Sequence, residues 1–150
     1  MKEIENLIEA LKNNCKDKYW FGAASDTAIN RMQEILKITL PADFLAFLHI
    51  CGGGGAESSE ICGICDDDAD LEVGGTVLYA TNYCRNEFDL PLNLAVIYLE
   101  DDEICWAIDC DTYQIVSYSL IFKKIDRVLN NSFAEFFAEY VELYRNDQQE

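Results

Sequence analysis

Positive charge is scarce in the middle of this chain. Between Ile38 and Phe122 there is one basic residue, Arg85, against sixteen acids, so this stretch carries −15 of the formal net charge of −17. Binding to phosphate requires clustered Lys and Arg, so the deficit argues against nucleic acid and anionic membrane surfaces as direct ligands. Long hydrophobic runs are also absent. Nothing approaches the ~20 apolar residues of a membrane span. The opening Met1-Lys2-Glu3-Ile4-Glu5 alternates charge and lacks the apolar core of a secretion signal. There is a single histidine, His49, and the seven cysteines are an odd number, ill suited to a fully paired disulfide framework. A cytoplasmic protein with reduced thiols is expected.

What is present fits a globular domain. Half of the 150 residues are apolar and 12% are aromatic, and this length suits one domain spanning 1–150. Ile4, Leu7, Ile8 and Leu11 recur at helical spacing. Ser25 is placed to cap a second helix carrying Ile29, Met32, Ile35 and Leu36. Pro41 suits the first position of a third helix, whose apolar face is Phe44, Leu45, Phe47 and Leu48. Gly52 to Gly55 end that helix. From there the texture becomes β-branched and aromatic. Thr76–Thr81, Leu94–Leu99, Ile104–Ile108 and Ile115–Tyr118 are expected to be strands, with Glu100 to Glu103 as a hairpin turn. A last helix, capped by Asn131 or Ser132, carries the stripe Phe133, Phe136, Phe137, Tyr140, Val141 and Tyr144. The expected class is α+β: a mostly antiparallel central sheet with helices from both chain ends packed on it.

Patterns that could carry chemistry are incomplete. Cys62 and Cys65 form a CxxC, but no second pair stands at zinc spacing and no βαβ unit frames it as a redox motif. Both cysteines are expected to be small apolar packing residues. Asp66, Asp68 and Asp70 begin like a calcium loop. The required Gly and Glu are replaced by Leu71 and Val77, so no metal is expected. The glycine run lacks the Lys and Ser/Thr of a phosphate loop and follows a helix where that motif follows a strand. His49 is expected to be structural at a helix end. No residue is selected as catalytic and no cofactor is expected. A thiol enzyme would need a cysteine of lowered pKa in a cleft.

Several segments together resemble the SUKH superfamily. They are Gly22-Ala23-Ala24-Ser25 with Ile29 and Glu34, then Leu40-Pro41-Ala42-Asp43-Phe44-Leu45-Ala46-Phe47-Leu48, and Gly52-Gly53 followed by Ile61-Cys62-Gly63. Further on come a strand after Leu90-Pro91, a strand ending at Ile108-Asp109, and Asn131-Ser132-Phe133-Ala134-Glu135-Phe136-Phe137. The founding members of the family are yeast cell-wall-synthesis regulators of the Smi/Knr type, and its bacterial members are mostly immunity proteins. The matching residues are fold residues and mark no active site. The four-glycine run and the cysteine content are unusual for the family.

The resemblance implies a non-enzymatic bacterial antitoxin that binds and neutralises a polymorphic toxin, often a nuclease. The charge distribution agrees. A nuclease must attract phosphate, and an acidic face can dock on its basic site and speed association. On that reading the contact regions are the loop with Asp66, Asp67, Asp68 and Asp70, and the turn with Glu100, Asp101, Asp102 and Glu103. A regulatory scaffold like the yeast members is the alternative.

Overall fold

A computed structural model describes residues 2–144. Its elements in chain order are α1 (Lys2–Asn14), β1 (Lys18–Trp20), α2 (Asp26–Leu36), α3 (Ala42–Cys51), β2 (Gly54–Ala56), α4 (Val77–Phe88), β3 (Leu94–Leu99), β4 (Ile104–Asp109), β5 (Ile115–Ser119), β6 (Lys124–Asn130) and α5 (Phe133–Leu143). Strands β3 to β6 form an antiparallel meander in sequential order, and β1 pairs antiparallel with β2 in a separate two-stranded sheet. Helix α4 lies against β3, while α1, α3 and α5 pack on one another. The fold is the expected α+β class. Among the described residues no helix is long and apolar enough to cross a membrane.

The caps explain where most helices begin. Ser25 accepts from the Ala28 N–H at the start of α2, and Ser132 accepts from the Glu135 N–H at the start of α5. The Glu135 carboxylate reaches back to the Asn131 N–H at 3.0 Å, so the serine and the glutamate satisfy exposed donors reciprocally. Pro41 is the N-cap of α3 and not its first helical residue; its extended ψ of 155° leaves the helix to start at Ala42.

A buried carboxylate ties two of these helix starts together. Asp43 accepts from the Phe44 N–H at 2.8 Å and from the Ala134 N–H, 91 residues away, also at 2.8 Å. Phe44 and Phe133, next in sequence to Asp43 and Ala134, pack with Phe47 and Phe137 in one cluster, with ring centroids 4.9 to 5.9 Å apart. All four are fully buried.

The expected strand over Thr76–Thr81 is a helix. Thr76 accepts from the Tyr79 N–H at 3.0 Å and caps α4. Val77, Leu78, Ala80, Thr81 and Cys84 are buried at helical spacing. A short apolar run with β-branched residues fits either structure, and here capping and burial against β3 select the helix. Strand β6 was not expected at all. Its first five residues are all exposed, so no alternation announces it. Two register shifts against β5 disturb the period further. Charged residues and bulges of this kind are common on edge strands, where they discourage further pairing.

The glycine run does more than end α3. Gly52 caps the helix at φ 77°, and a Cβ there would fall 1.8 Å from the Gly22 carbonyl oxygen. Gly54, at φ 106°, enters β2, where a Cβ would meet the Tyr19 carbonyl oxygen at 2.1 Å. Two main chains thus pass at a distance that only glycine permits. The segment leaving this crossing reaches β3, where the Cys62 N–H donates to the Ile97 carbonyl at 2.8 Å. Ile97 lies at the β3 bulge, between the paired residues Val96 and Tyr98.

Candidate functional site

The close crossing of β1 and β2 and the cap of α4 together open a surface cleft of about 410 Å³. Tyr19 and Phe21 come from β1 and the residue after it. Gly74, Gly75 and Tyr79 come from the turn into α4 and its first turn. Tyr98, Leu99 and Glu100 come from the end of β3, and Ser58 and Glu60 from the loop after β2. Four aromatic rings and two carboxylates therefore converge from four separate segments.

Each wall has a local cause. Thr76 caps α4 through its Oγ1 and also donates that hydroxyl to the Val73 carbonyl at 2.9 Å, which pins the turn that presents Tyr79. Tyr79 stacks on Tyr83 one helical turn later, with centroids 5.9 Å apart and planes 8° from parallel. Tyr83 then donates its hydroxyl to Asp102 at 2.9 Å, joining α4 to the β3–β4 turn. That hydrogen bond raises the Tyr83 phenol above its ordinary value. Tyr98 rests on Trp106 at 4.9 Å. Burial, and then the neighbouring Glu100, raise its phenol too. Tyr19 and Tyr79 remain 58% and 40% exposed.

All eight acids of the expected contact regions are exposed. Glu100 lines the cleft and Asp102 holds Tyr83 beside it. Asp101 accepts from the Glu103 and Ile104 N–H groups, so it shapes the turn. Glu103 is a solvent-facing member of the same turn. The other region lies apart from the cleft lining, against α2. Asp67 accepts from the Ser25 N–H at 2.7 Å, Asp70 pairs with Arg31 at 3.4 Å, and Asp68 accepts from the Asp70 N–H at 3.0 Å. Asp66 and Asp67 both take left-handed backbone at φ 53°. Three of these four carboxylates are thus engaged in shaping the loop and fixing it to α2.

The charge imbalance of the middle segment is sharpened by its one cation. Arg85 turns its guanidinium to the Leu36 and Leu92 carbonyls at 3.0 and 2.9 Å. Among the described residues the segment's acids form two ion pairs, Arg31–Asp70 and Lys123–Asp89, and both cations come from outside the segment. Among the described residues no ion pair reaches Glu60, Glu72, Glu87, Glu100 or Asp102.

Cys62 contributes to the floor of the cleft, but burial pushes its thiol up to about 12, which keeps it protonated and a poor nucleophile. Cys105 donates to Cys84 inside the core, and that hydrogen bond, with burial, raises Cys105. The same bond lowers Cys84 against its burial, but Cys84 has no exposed surface. All seven cysteines are free, Cys62 and Cys65 included. Among the described residues no group of three or more His, Cys, Asp or Glu side chains is placed to hold a metal. His49 is structural: its Nδ1 lies 3.0 Å from the Ala24 carbonyl and its Nε2 2.9 Å from Asp26, tying the end of α3 to α2.

The aromatic walls of the cleft had no signal in the sequence. Tyr79 and Tyr83 stand four residues apart, which becomes informative only once their segment is known to be helical. Comparison with known families gives a match over nearly the whole chain. A family model described as SMI1-KNR4 cell-wall, of the SUKH type, matches residues 4–142. No curated protein matches the chain.

Proposed function

The chain belongs to the SMI1-KNR4 cell-wall family of the SUKH superfamily, and from that premise we propose that it is a cytoplasmic, non-catalytic immunity protein. It binds a bacterial toxin, and the acidic face around the α4 cleft docks on the toxin's basic, nucleic-acid-binding surface. The observation that carries this reading is the uncompensated charge. The sole cation among residues 38–122 is spent on backbone carbonyls, and the acids beside the cleft are without ion-pair partners among the described residues. Such a surface costs self-repulsion, which a basic partner offsets. Exposed charges at the edge of an interface act mainly through association rate and salt dependence.

The test pairs this chain with the toxin encoded beside its gene. Cells expressing that toxin should survive only when the chain is co-expressed. Charge reversal at Asp101 and Asp102 to Lys should slow association by at least about tenfold and flatten its dependence on ionic strength. Unchanged affinity and salt dependence would remove the 100–103 turn from the interface. A stable complex with host enzymes, and none with a toxin, would favour a regulatory scaffold instead.

A further inference from the structure

We infer that the cleft between β1, α4 and the end of β3 is a guanidinium site, which takes one arginine side chain from a protein partner. The inference rests on the proposed reading of this face as protein-binding and names the group it recognises. Three observations support it together. The walls are aromatic, with the Tyr19 and Tyr79 rings open to solvent. The rim carries Glu60 and Glu100, neither in an ion pair among the described residues. No Lys or Arg of the described chain lines the cleft, so its negative charge is not answered from within.

A planar, weakly hydrated guanidinium suits this arrangement better than an ammonium does. It can lie flat on a tyrosine face while its edge donates a fork of N–H groups to a carboxylate. A lysine ammonium is a compact, strongly hydrated point charge and would give up more water for one contact. The size also agrees. About 410 Å³ is near the lower end of the roughly 300–1,000 Å³ of small-ligand sites, which suits a side chain better than a cofactor. Gly74 and Gly75 add no side chain to the stretch of lining they form, so partner backbone can come close there.

The probe is N-acetyl-arginine amide, titrated into the full-length chain and followed by the aromatic signals of Tyr79 and Tyr98 and the amide of Gly75. N-acetyl-citrulline amide and N-acetyl-lysine amide are the controls. Saturable shifts confined to the cleft, and at least about threefold weaker with either control, are expected. Tyr79→Ala, a surface change within a helix, should weaken the arginine probe by about fivefold, and Glu100→Gln should do so comparably. The proposal is overturned if no shifts occur, if citrulline or lysine amide matches the arginine probe, or if the shifts spread over all exposed acids in proportion to charge. Toxin protection is a separate readout. A chain that binds the probe in the cleft but fails to protect cells refutes the immunity reading and leaves the guanidinium site standing.

Discussion

Removing the Asp43 carboxylate should loosen the chain where the start of α3 meets the start of α5. Asp43 is 8% exposed and accepts two hydrogen bonds at 2.8 Å, one from the start of α3 and one from the start of α5. A hydrogen bond to a charged acceptor is worth about 1.5–3 kcal/mol net, and a buried donor left without a partner costs about 1–3 kcal/mol. The Phe44 bond is local and therefore less consequential. The Ala134 bond joins segments 91 residues apart, and Ala134 is itself buried. Negative charge at two helix N-termini adds about 0.3–1 kcal/mol at each. Asp43→Ala should therefore cost about 3 kcal/mol. Asp43→Asn keeps an acceptor oxygen but turns an NH2 group toward one of the two N–H donors, and should cost about 2 kcal/mol. At about 2–4 °C per kcal/mol for a chain of this size, the alanine variant should melt about 6–12 °C lower. Urea unfolding followed by circular dichroism measures both variants against the parent. If each lies within about 0.5 kcal/mol of it, the carboxylate is not bridging the helices and the account of this motif residue is wrong.

Four further outcomes follow from the same structure. Gly52→Ala should lower stability by at least about 3 kcal/mol, since it combines a left-handed φ with a Cβ 1.8 Å from the Gly22 oxygen. Gly74→Ala, which meets nothing within 4 Å, should stay within about 0.5 kcal/mol in the same thermal melt. Tyr140→Phe should cost about 1–3 kcal/mol by chemical denaturation. Its hydroxyl accepts from the buried Ala56 N–H and donates to the Ser59 carbonyl, both at 2.9 Å, and the N–H would be left unpaired. Burial pushes Cys51 and Cys62 from an ordinary 9.0 up to about 12. The unfolded chain therefore releases these protons first, so their stabilising effect is complete below pH 9 and is lost as the pH rises toward 12. Each thiol should steepen that decline by up to about 1.4 kcal/mol per pH unit. Urea midpoints between pH 8 and 10.5 that fall no less steeply in Cys51→Ala and Cys62→Ala would contradict this.

By itself the sequence determined the elements whose signals are local. Ser25 and Ser132 cap α2 and α5 as their positions imply, because a cap needs only a hydroxyl and an N–H three residues on. The hairpin of β3 and β4 around residues 100–103 follows from two apolar runs and a polar turn. The charge deficit and the family motifs were legible for the same reason: both are properties of residues read in order. Tertiary structure alone decided whatever depends on segments meeting. Thr76–Thr81 fits strand and helix equally until β3 packs beside it, where Thr81 accepts from the Val96 N–H at 2.9 Å. Asp43 looks like an ordinary first-turn acid until Ala134 arrives. The glycine run looks like a simple stop until Gly22 and Tyr19 pass within contact of it. The cleft is the extreme case, since Tyr19, Tyr79 and Tyr98 are neighbours only in space. Backbone and capping preferences act over one or two turns of chain, whereas a site is built by long-range packing, whose geometry no local pattern records.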